Sequence, residues 1–214
     1  MARTRGPRRR KPATHISNSG AGSRARAQVA QAAARLMAEH GIDDFHLAKQ
    51  KAAARLGVHE DLPRNAEIEA ALMAHQRIFH EHEQTQNLQR LRRIALEAMS
   101  FFREFQPRLV GPVLRGSAGA HTEITLHLFA DAAETVEIHL LDHHIPFDSQ
   151  DRRLREDRET YRDYPGYRFL ADETPVDLTV FPEKALRQAP LSPIDGKPMA
   201  RADLAQVRAL LEDA

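Results

Sequence analysis

Hydrophobic residues in the first half of the chain recur at the spacing of an α-helix. Apolar positions lie three and four residues apart in RAQVAQAAARLMAEHGI and again in DDFHLAKQKAAARLGV, and each pattern closes on a glycine. Residues 64–106 contain neither proline nor glycine, so this span is predicted to form one long helix or a helical hairpin. Its polar middle, HEHEQTQN, is either a solvent-exposed helical section or a break. The clearest apolar stripe in its second half consists of Leu88, Leu91, Ala95, Ala98, Phe102 and Phe105.

From residue 107 onwards the pattern alternates over short segments, as is typical of β-strands. Strands are predicted in RLVGPVL, EITLHLFA, IPF, GYRFLA and VDLTVF. Helices are predicted in DAAETVEIHLLDHH and in RADLAQVRALLEDA. The charge-rich segment DSQDRRLREDRETYRDYPG is predicted to be a solvent-exposed hairpin or loop without a chemical role. Because helices come first and strands follow, the pattern predicts an α+β fold with a helical N-terminal region.

The charge of the chain is distributed unevenly. The net charge at pH 7 is +1, but residues 1–38 contain nine arginines and lysines and no acidic residue, which leaves 22 basic and 30 acidic residues in the remainder. The first 24 residues are rich in Arg, Gly, Ser and Pro and lack apolar periodicity, which predicts a disordered basic tail. Such a tail either contacts nucleic acid or only keeps the protein in solution. We therefore expect a tail over 1–24, a helical region over 25–106 and an α+β domain over 107–214.

The composition excludes several classes of function. No apolar run reaches the roughly 20 residues that a membrane span requires, and no signal-peptide pattern is present, so we expect a cytoplasmic protein without a membrane partner. The chain has no cysteine, which excludes disulfides, thiolate metal sites and cysteine nucleophiles.

Two segments of the expected α+β domain carry the residues most typical of a binding site. They are VGPVLRGSAGAHTEITL, which begins at Val110, and VDLTVF, which contains Asp177. Their spacing resembles the pattern hydrophobic-G-S-x-A-R-G-x(5)-S-D-I-D-L of the nucleotidyltransferase superfamily (the polymerase-β-like fold), in which a third carboxylate lies on a later strand. The resemblance covers roughly residues 95–182 and implies a mixed sheet with flanking helices.

The resemblance implies a role for five residues of this chain. Gly111, Arg115 and Gly116 would bind the phosphates of a nucleoside triphosphate. Glu123 and Asp177 would be the catalytic carboxylates, which bind Mg²⁺ or Mn²⁺ in an active member of the family. In the family, two such ions orient the triphosphate and stabilise charge while an acceptor hydroxyl attacks the α-phosphorus.

Three positions depart from the family pattern. Pro112 replaces a serine, which removes both a hydroxyl and a backbone donor. Glu123 replaces an aspartate with a longer side chain that can still bind a metal ion. Thr125 replaces the second aspartate, and the loss of one bridging carboxylate is expected to cost several orders of magnitude in rate. We therefore expect a divergent nucleotidyltransferase-like protein, a pseudoenzyme that transfers nucleotidyl groups weakly or binds nucleotide without catalysis.

A single metal site is a second possibility for the same strand. Residues two apart on a strand face the same side, so Glu123, Thr125 and His127 are expected on one face, opposite Asp177 if the two strands are neighbours. Glu123, His127 and Asp177 could then hold one divalent ion, and the imidazole would favour a transition metal. The alternative is a set of polar residues on the exposed face of an antiparallel sheet.

Two other classes of function remain open. The segment AARLMAEHGIDDFHLAKQKAAARLGV resembles the opening helices of TetR-like helix-turn-helix repressors, which with the basic tail predicts a nucleic-acid-associated regulator. The segment that follows, HEDLPRNAEIEAAL, is acidic and poorly suited to contact phosphates as a recognition helix. A noncatalytic interaction protein that presents its long helix to a partner is the third class.

Overall fold

The computed structural model describes residues 19–42, 44–79, 81–157 and 159–212 and confirms the α+β class. Residues 1–18 of the predicted basic tail lie outside these ranges. The α-helices are α1 Ser19–His40, α2 Phe45–Leu56, α3 Asn65–Phe79, α4 Glu81–Phe101, α5 Gly111–Arg115, α6 Glu134–Asp142 and α7 Leu204–Glu212. The strands are β1 Arg108–Val110, β2 Ile124–Phe129, β3 Phe147–Arg155, β4 Tyr161–Ala171 and β5 Thr174–Phe181. None of the helices in these ranges combines the length and the apolar character that a membrane span requires.

The first three helices pack on one another through small apolar side chains. Asp44 caps α2, because its Oδ1 accepts hydrogen bonds from the backbone nitrogens of His46 and Leu47 at 2.7 and 3.0 Å. Gly57 ends α2 in the left-handed conformation, as the sequence predicted. α1 begins at residue 19 instead of the expected 25, although residues 19–24 include two glycines and two serines, which are poor helix formers; no proline interrupts this segment. The buried residues of this cluster are Val29, Ala30, Ala33, Ala48, Ala52, Ala53 and Ile68.

The predicted span without proline or glycine forms two helices, α3 and α4. The Nε2 atom of Gln84 donates a hydrogen bond to Oε1 of Gln76 at 3.0 Å. Residues 81–87 of the polar stretch are helical, whereas residue 80 lies outside the described residues, so a break at that point stays a prediction.

The strands form one mixed sheet in the order β1-β2-β5-β4-β3. β2 and β5 run parallel, and the other neighbouring pairs are antiparallel. One face of the sheet packs on α4, α6 and α7, where Phe102, Leu126, Val136 and Val207 lie in a common core. The apolar stripe of α4 is confirmed, because its residues are buried in this core or, for Leu88, packed against it.

The opposite face of the sheet carries the residues that the sequence singled out. In the parallel register, Thr125 lies beside Asp177 and His127 lies beside Thr179. The antiparallel neighbour β4 places Arg168 on the other side of Asp177. Side chains alternate between the two faces of a strand, so these residues point away from the helical core. The sheet thereby brings the two motif segments together on one surface.

The strand predicted over RLVGPVL is only partly correct. Only the first part of RLVGPVL is a strand, and GPVLR forms α5. Pro112 explains the difference, because it lacks the amide hydrogen of a central strand while its fixed φ suits the first turn of a helix. The charge-rich segment adopts the hairpin alternative and forms much of β3 and β4. β3 lies at the edge of the sheet, where charged side chains are tolerated and discourage pairing with another chain.

Candidate functional site

A cavity of about 450 Å³ lies between the open face of the sheet, the turn into α5, the first three helices and the C-terminal segment 193–199. This volume falls in the range of small-molecule binding sites. The cavity brings together residues from both motif segments. Its polar lining includes Arg115, Glu123, Thr125, His127, Arg152 and Asp177. Its apolar lining includes Met37, Phe45, Leu72, Leu154, Ile194 and Met199.

The glycine turn approaches β2 closely. Gly111 has a φ of 75°, and a Cβ atom added there would lie 3.6 Å from Oγ1 of Thr125. A residue with a side chain would be strained at this φ, so glycine is the residue that lets the backbone enter α5 beside the cavity. Gly111 lines the cavity, whereas Gly116 ends α5 and its carbonyl oxygen accepts a hydrogen bond from Gln84 at 3.0 Å. Only the first of the two predicted phosphate-binding glycines therefore borders the cavity.

Arg115, the third predicted phosphate ligand, lines the cavity and is held by an acid of α3. Its Nε donates to Oε1 of Glu69 at 2.6 Å, and the hydroxyl of Ser117 donates to the same oxygen at 3.3 Å. In the described part of the chain, the Nη1 and Nη2 groups of Arg115 make no hydrogen bond. The ion pair therefore fixes the guanidinium while leaving donors for a ligand.

Asp177 is almost fully buried and is bound by two side chains of β3. Its side chain is 8% exposed, and its Oδ1 accepts hydrogen bonds from Nη2 and Nε of Arg152 at 2.5 and 3.1 Å and from Nε2 of Gln150 at 3.1 Å. Burial raises the pKa of Asp177 above its ordinary value, and the hydrogen bonds and charge of Arg152 oppose this shift only in part. The guanidinium is thus the counter-charge of this carboxylate.

The counter-charge of Glu123 is also the guanidinium group of an arginine. Glu123 lies one residue before β2, lines the cavity and pairs with the Nη2 group of Arg168 from β4. Both partners are partly exposed, with 30% and 43% of their side chains accessible, so solvent screens this pair more than the pair at Asp177. The two acids that the resemblance assigned to metal ions are therefore each bound by an arginine of the same sheet.

His127 is the most deeply buried of the predicted ligands, with an exposure of 1%. Its Nδ1 accepts a hydrogen bond from Nε of Arg201 at 3.1 Å, and its ring lies 4.6 Å from the ring of Phe181. Burial, with a further contribution from the charge of Arg201, lowers the pKa of His127 to about 3. The imidazole is therefore neutral across the physiological pH range.

The predicted metal ligands share a cavity but do not form a metal centre. Glu123, His127 and Asp177 each have an arginine partner, and the described ranges contain no group of three acidic, histidine or cysteine side chains that could hold a metal ion. Mg²⁺ and Mn²⁺ favour sets of carboxylate and carbonyl oxygens. Such an ion does not fit here, because guanidinium groups already neutralise both carboxylates. Nδ1 of His127 also accepts its hydrogen bond from a cation, Arg201.

The arginines are the residues of the candidate site that reasoning from the sequence missed. Arg152 lies in the segment to which no chemical role was given, and Arg168 and Arg201 lie in segments described only by their secondary structure. One signal was present: a carboxylate between hydrophobic strand residues needs a buried partner, and the charge-rich hairpin supplies many cations. The sequence did not indicate which of these cations would reach Asp177.

Comparison of the chain with protein-family models, with curated proteins and with solved structures found no match.

Proposed function

We propose that this protein is a noncatalytic nucleotide-binding protein, which holds a nucleotide in the cavity without a divalent metal ion. The observation that carries the proposal is the pairing of Asp177 with Arg152 at the cavity wall. Asp177, which stands at the position that resembles a catalytic metal ligand, is already paired with the guanidinium group of Arg152. The spacing of the sequence motif, which resembles the nucleotidyltransferase pattern, is the reason for proposing a nucleotide as the ligand, and the guanidinium of Arg152 takes the place of the metal ion at Asp177.

The same pairing argues against nucleotidyl transfer. A divalent ion at Asp177 would have to displace the guanidinium of Arg152 or lie beside its positive charge, and both are costly in a buried site. Thr125 offers a hydroxyl where a second bridging carboxylate would be needed. A divalent ion would therefore have neither the ligands nor the electrostatic environment that phosphoryl chemistry requires.

Two cationic side chains provide a metal-free way to bind phosphate. Arg115 and Arg152 both line the cavity, and in the described residues Nη1 and Nη2 of the first and Nη1 of the second make no hydrogen bond. Guanidinium groups recognise phosphate through such forked donors. Because Glu69 and Asp177 balance these two charges, the cavity suits a ligand of low charge, and we expect monophosphates to bind better than triphosphates.

The apolar walls suit the base of such a ligand. Phe45 and Leu72 contribute from the first helices, and Ile194 and Met199 contribute from the C-terminal segment. Small-molecule sites commonly combine apolar walls with a few polar groups that fix orientation. A nucleotide would place its base against these residues and its phosphate near the arginines.

We expect a nucleoside monophosphate to bind with saturation in the presence of EDTA, and the Arg115→Lys variant to bind it about tenfold more weakly. Lysine keeps the positive charge beside Glu69 but loses the forked donors that grip phosphate. Isothermal titration calorimetry with AMP, GMP, CMP and UMP would measure both affinities. The matched control is Arg162→Lys, because Arg162 is largely exposed, pairs with Glu156 and does not line the cavity.

Three results would contradict the proposal. The first is the absence of saturable binding for all four monophosphates. The second is an equal loss of affinity in the Arg115→Lys and Arg162→Lys variants, since the cavity arginine would then have no special role. The third is a labelled product from incubation with nucleoside triphosphates and Mg²⁺, which would show catalysis.

A further inference from the structure

The hydrogen bond between Arg201 and His127 determines which nitrogen of the imidazole carries the proton. A guanidinium has only donors, so the Nδ1 atom that lies 3.1 Å from Nε of Arg201 must present its lone pair. A neutral imidazole has one proton, which is therefore on Nε2. The protein thus holds His127 as a neutral ring with a single outward donor.

Arg201 is held firmly in the position that imposes this tautomer. Its guanidinium lies 4.9 Å from the ring of Phe129 and 5.0 Å from the ring of Phe181. Its Nη1 donates to the carbonyl oxygen of Ala185 at 2.9 Å. These contacts stabilise a buried cation whose pKa burial lowers to about 10, so that it remains charged at neutral pH. The donor to Nδ1 is therefore a fixed part of the fold.

The Nε2 donor of His127 has no protein partner among the described residues, although the side chain is nearly fully buried. His127 lines the cavity, together with its neighbours Thr125 and Thr179. Nε2 retains accessible surface at the cavity, so a ligand that displaces water from this wall without offering an acceptor would leave the donor unpaired, whereas a ligand with an acceptor would pair it. Arg201, the cation in contact with His127, does not line the cavity, whereas Arg115 and Arg152 line it and have unused donors for a phosphate.

We propose that His127 selects the ligand by donating a hydrogen bond from Nε2 to an uncharged acceptor of its base, a carbonyl oxygen or a ring nitrogen. This inference rests on the proposed function and adds to it the group that recognises the base. The phosphate and the base then have separate recognition groups, arginines for one and a neutral histidine for the other. A ligand without an acceptor at this place would leave the donor unpaired and bind more weakly.

The effect of the donor can be separated from the effect of the contact with Arg201. Both His127→Gln and His127→Phe lose the imidazole Nδ1, but the glutamine amide can still donate at the place of Nε2, whereas phenylalanine cannot. We expect His127→Phe to lose tenfold or more in affinity for whichever of AMP, GMP, CMP and UMP binds the unchanged protein best, and His127→Gln to lose no more than about threefold. Inorganic phosphate, which contacts the arginines only, is expected to bind all three proteins equally.

Equal losses in the two variants would overturn the inference, because they would reflect the lost contact with Arg201. No loss in either variant would overturn it while leaving the proposed function intact. If the unchanged protein binds none of the four nucleotides, the proposed function fails and this inference fails with it. A second measurement needs neither variant nor ligand: a long-range ¹H–¹⁵N NMR spectrum of the unchanged protein should show His127 protonated on Nε2, and protonation on Nδ1 would overturn the inference.

Discussion

Replacement of Gly166 by alanine is expected to destabilise the protein by about 3 kcal/mol or more, or to prevent folding. Gly166 lies in β4, between β3 and β5. A Cβ atom added there would lie 2.8 Å from the carbonyl oxygen of Leu178, 2.9 Å from that of Gln150 and 3.2 Å from Cγ of Arg152. The first two contacts are with the backbones of both flanking strands, so relief would require the sheet itself to move.

Gly22 provides a matched substitution for this experiment. It lies in α1, where the nearest atom to an added Cβ is Oδ2 of Asp61 at 3.8 Å. Gly22→Ala is expected to leave stability unchanged or to raise it by up to about 1 kcal/mol, because alanine favours the helix. Urea unfolding followed by circular dichroism would measure the free energy of unfolding of both variants. A Gly166→Ala protein as stable as the Gly22→Ala protein would contradict the described packing of the sheet.

Replacement of Arg152 by methionine is expected to destabilise the protein by about 2–3 kcal/mol at pH 7. Removal of one partner of a buried pair leaves the other charge uncompensated, and the cost is reduced here because 35% of the arginine side chain is exposed. Within the described part of the chain, Asp177 would then keep only the hydrogen bond from Gln150. The additional change Asp177→Asn should recover most of the loss, since the amide carries no charge to be compensated.

The pH dependence of the Arg152→Met variant has a defined sign. Loss of the guanidinium removes an interaction that lowers the pKa of Asp177, so the folded-state pKa rises further above its ordinary value. The protonated carboxyl is then favoured in the folded state, and the destabilisation appears as the pH rises through that pKa. Below the pKa of the unfolded chain the variant should approach the stability of the double variant Arg152→Met/Asp177→Asn. A loss of stability that is the same at all pH values, or that Asp177→Asn does not relieve, would contradict the assigned role of Arg152.

The spacing of hydrophobic residues predicted those helices and strands whose apolar side chains are buried in a core. The helical stripe through Phe102 and the strand around Asp177 were recognisable because one face or both faces lie in a core. The GPVL part of the strand predicted over RLVGPVL was wrong because the conformational preference of Pro112 outweighs its hydrophobic neighbours. The charge-rich hairpin remained open to two interpretations because an edge strand needs no apolar period.

The candidate site could be predicted only in part, because its partners come from distant elements. Glu123 and Asp177 were identified by their spacing, and the structure places both at one cavity. Arg152 lies two strands away from Asp177 in the sheet, so their contact depends on the strand order and the register, which local patterns do not specify. His127 was assigned to a metal site because strand alternation places it on the same face as Glu123, opposite Asp177, whereas the structure pairs its Nδ1 with Arg201.

The most direct test of the account compares the dissociation constant of the best-binding nucleoside monophosphate in EDTA with the constant in Mg²⁺ or Mn²⁺. Calorimetry on the unchanged protein would measure both. Because Arg152 occupies the carboxylate that a metal ion would need, the two constants are expected to agree within about a factor of two. Binding that becomes tenfold or more tighter with the metal, or that occurs only in its presence, would show that Asp177 is available to a cation and would contradict the account.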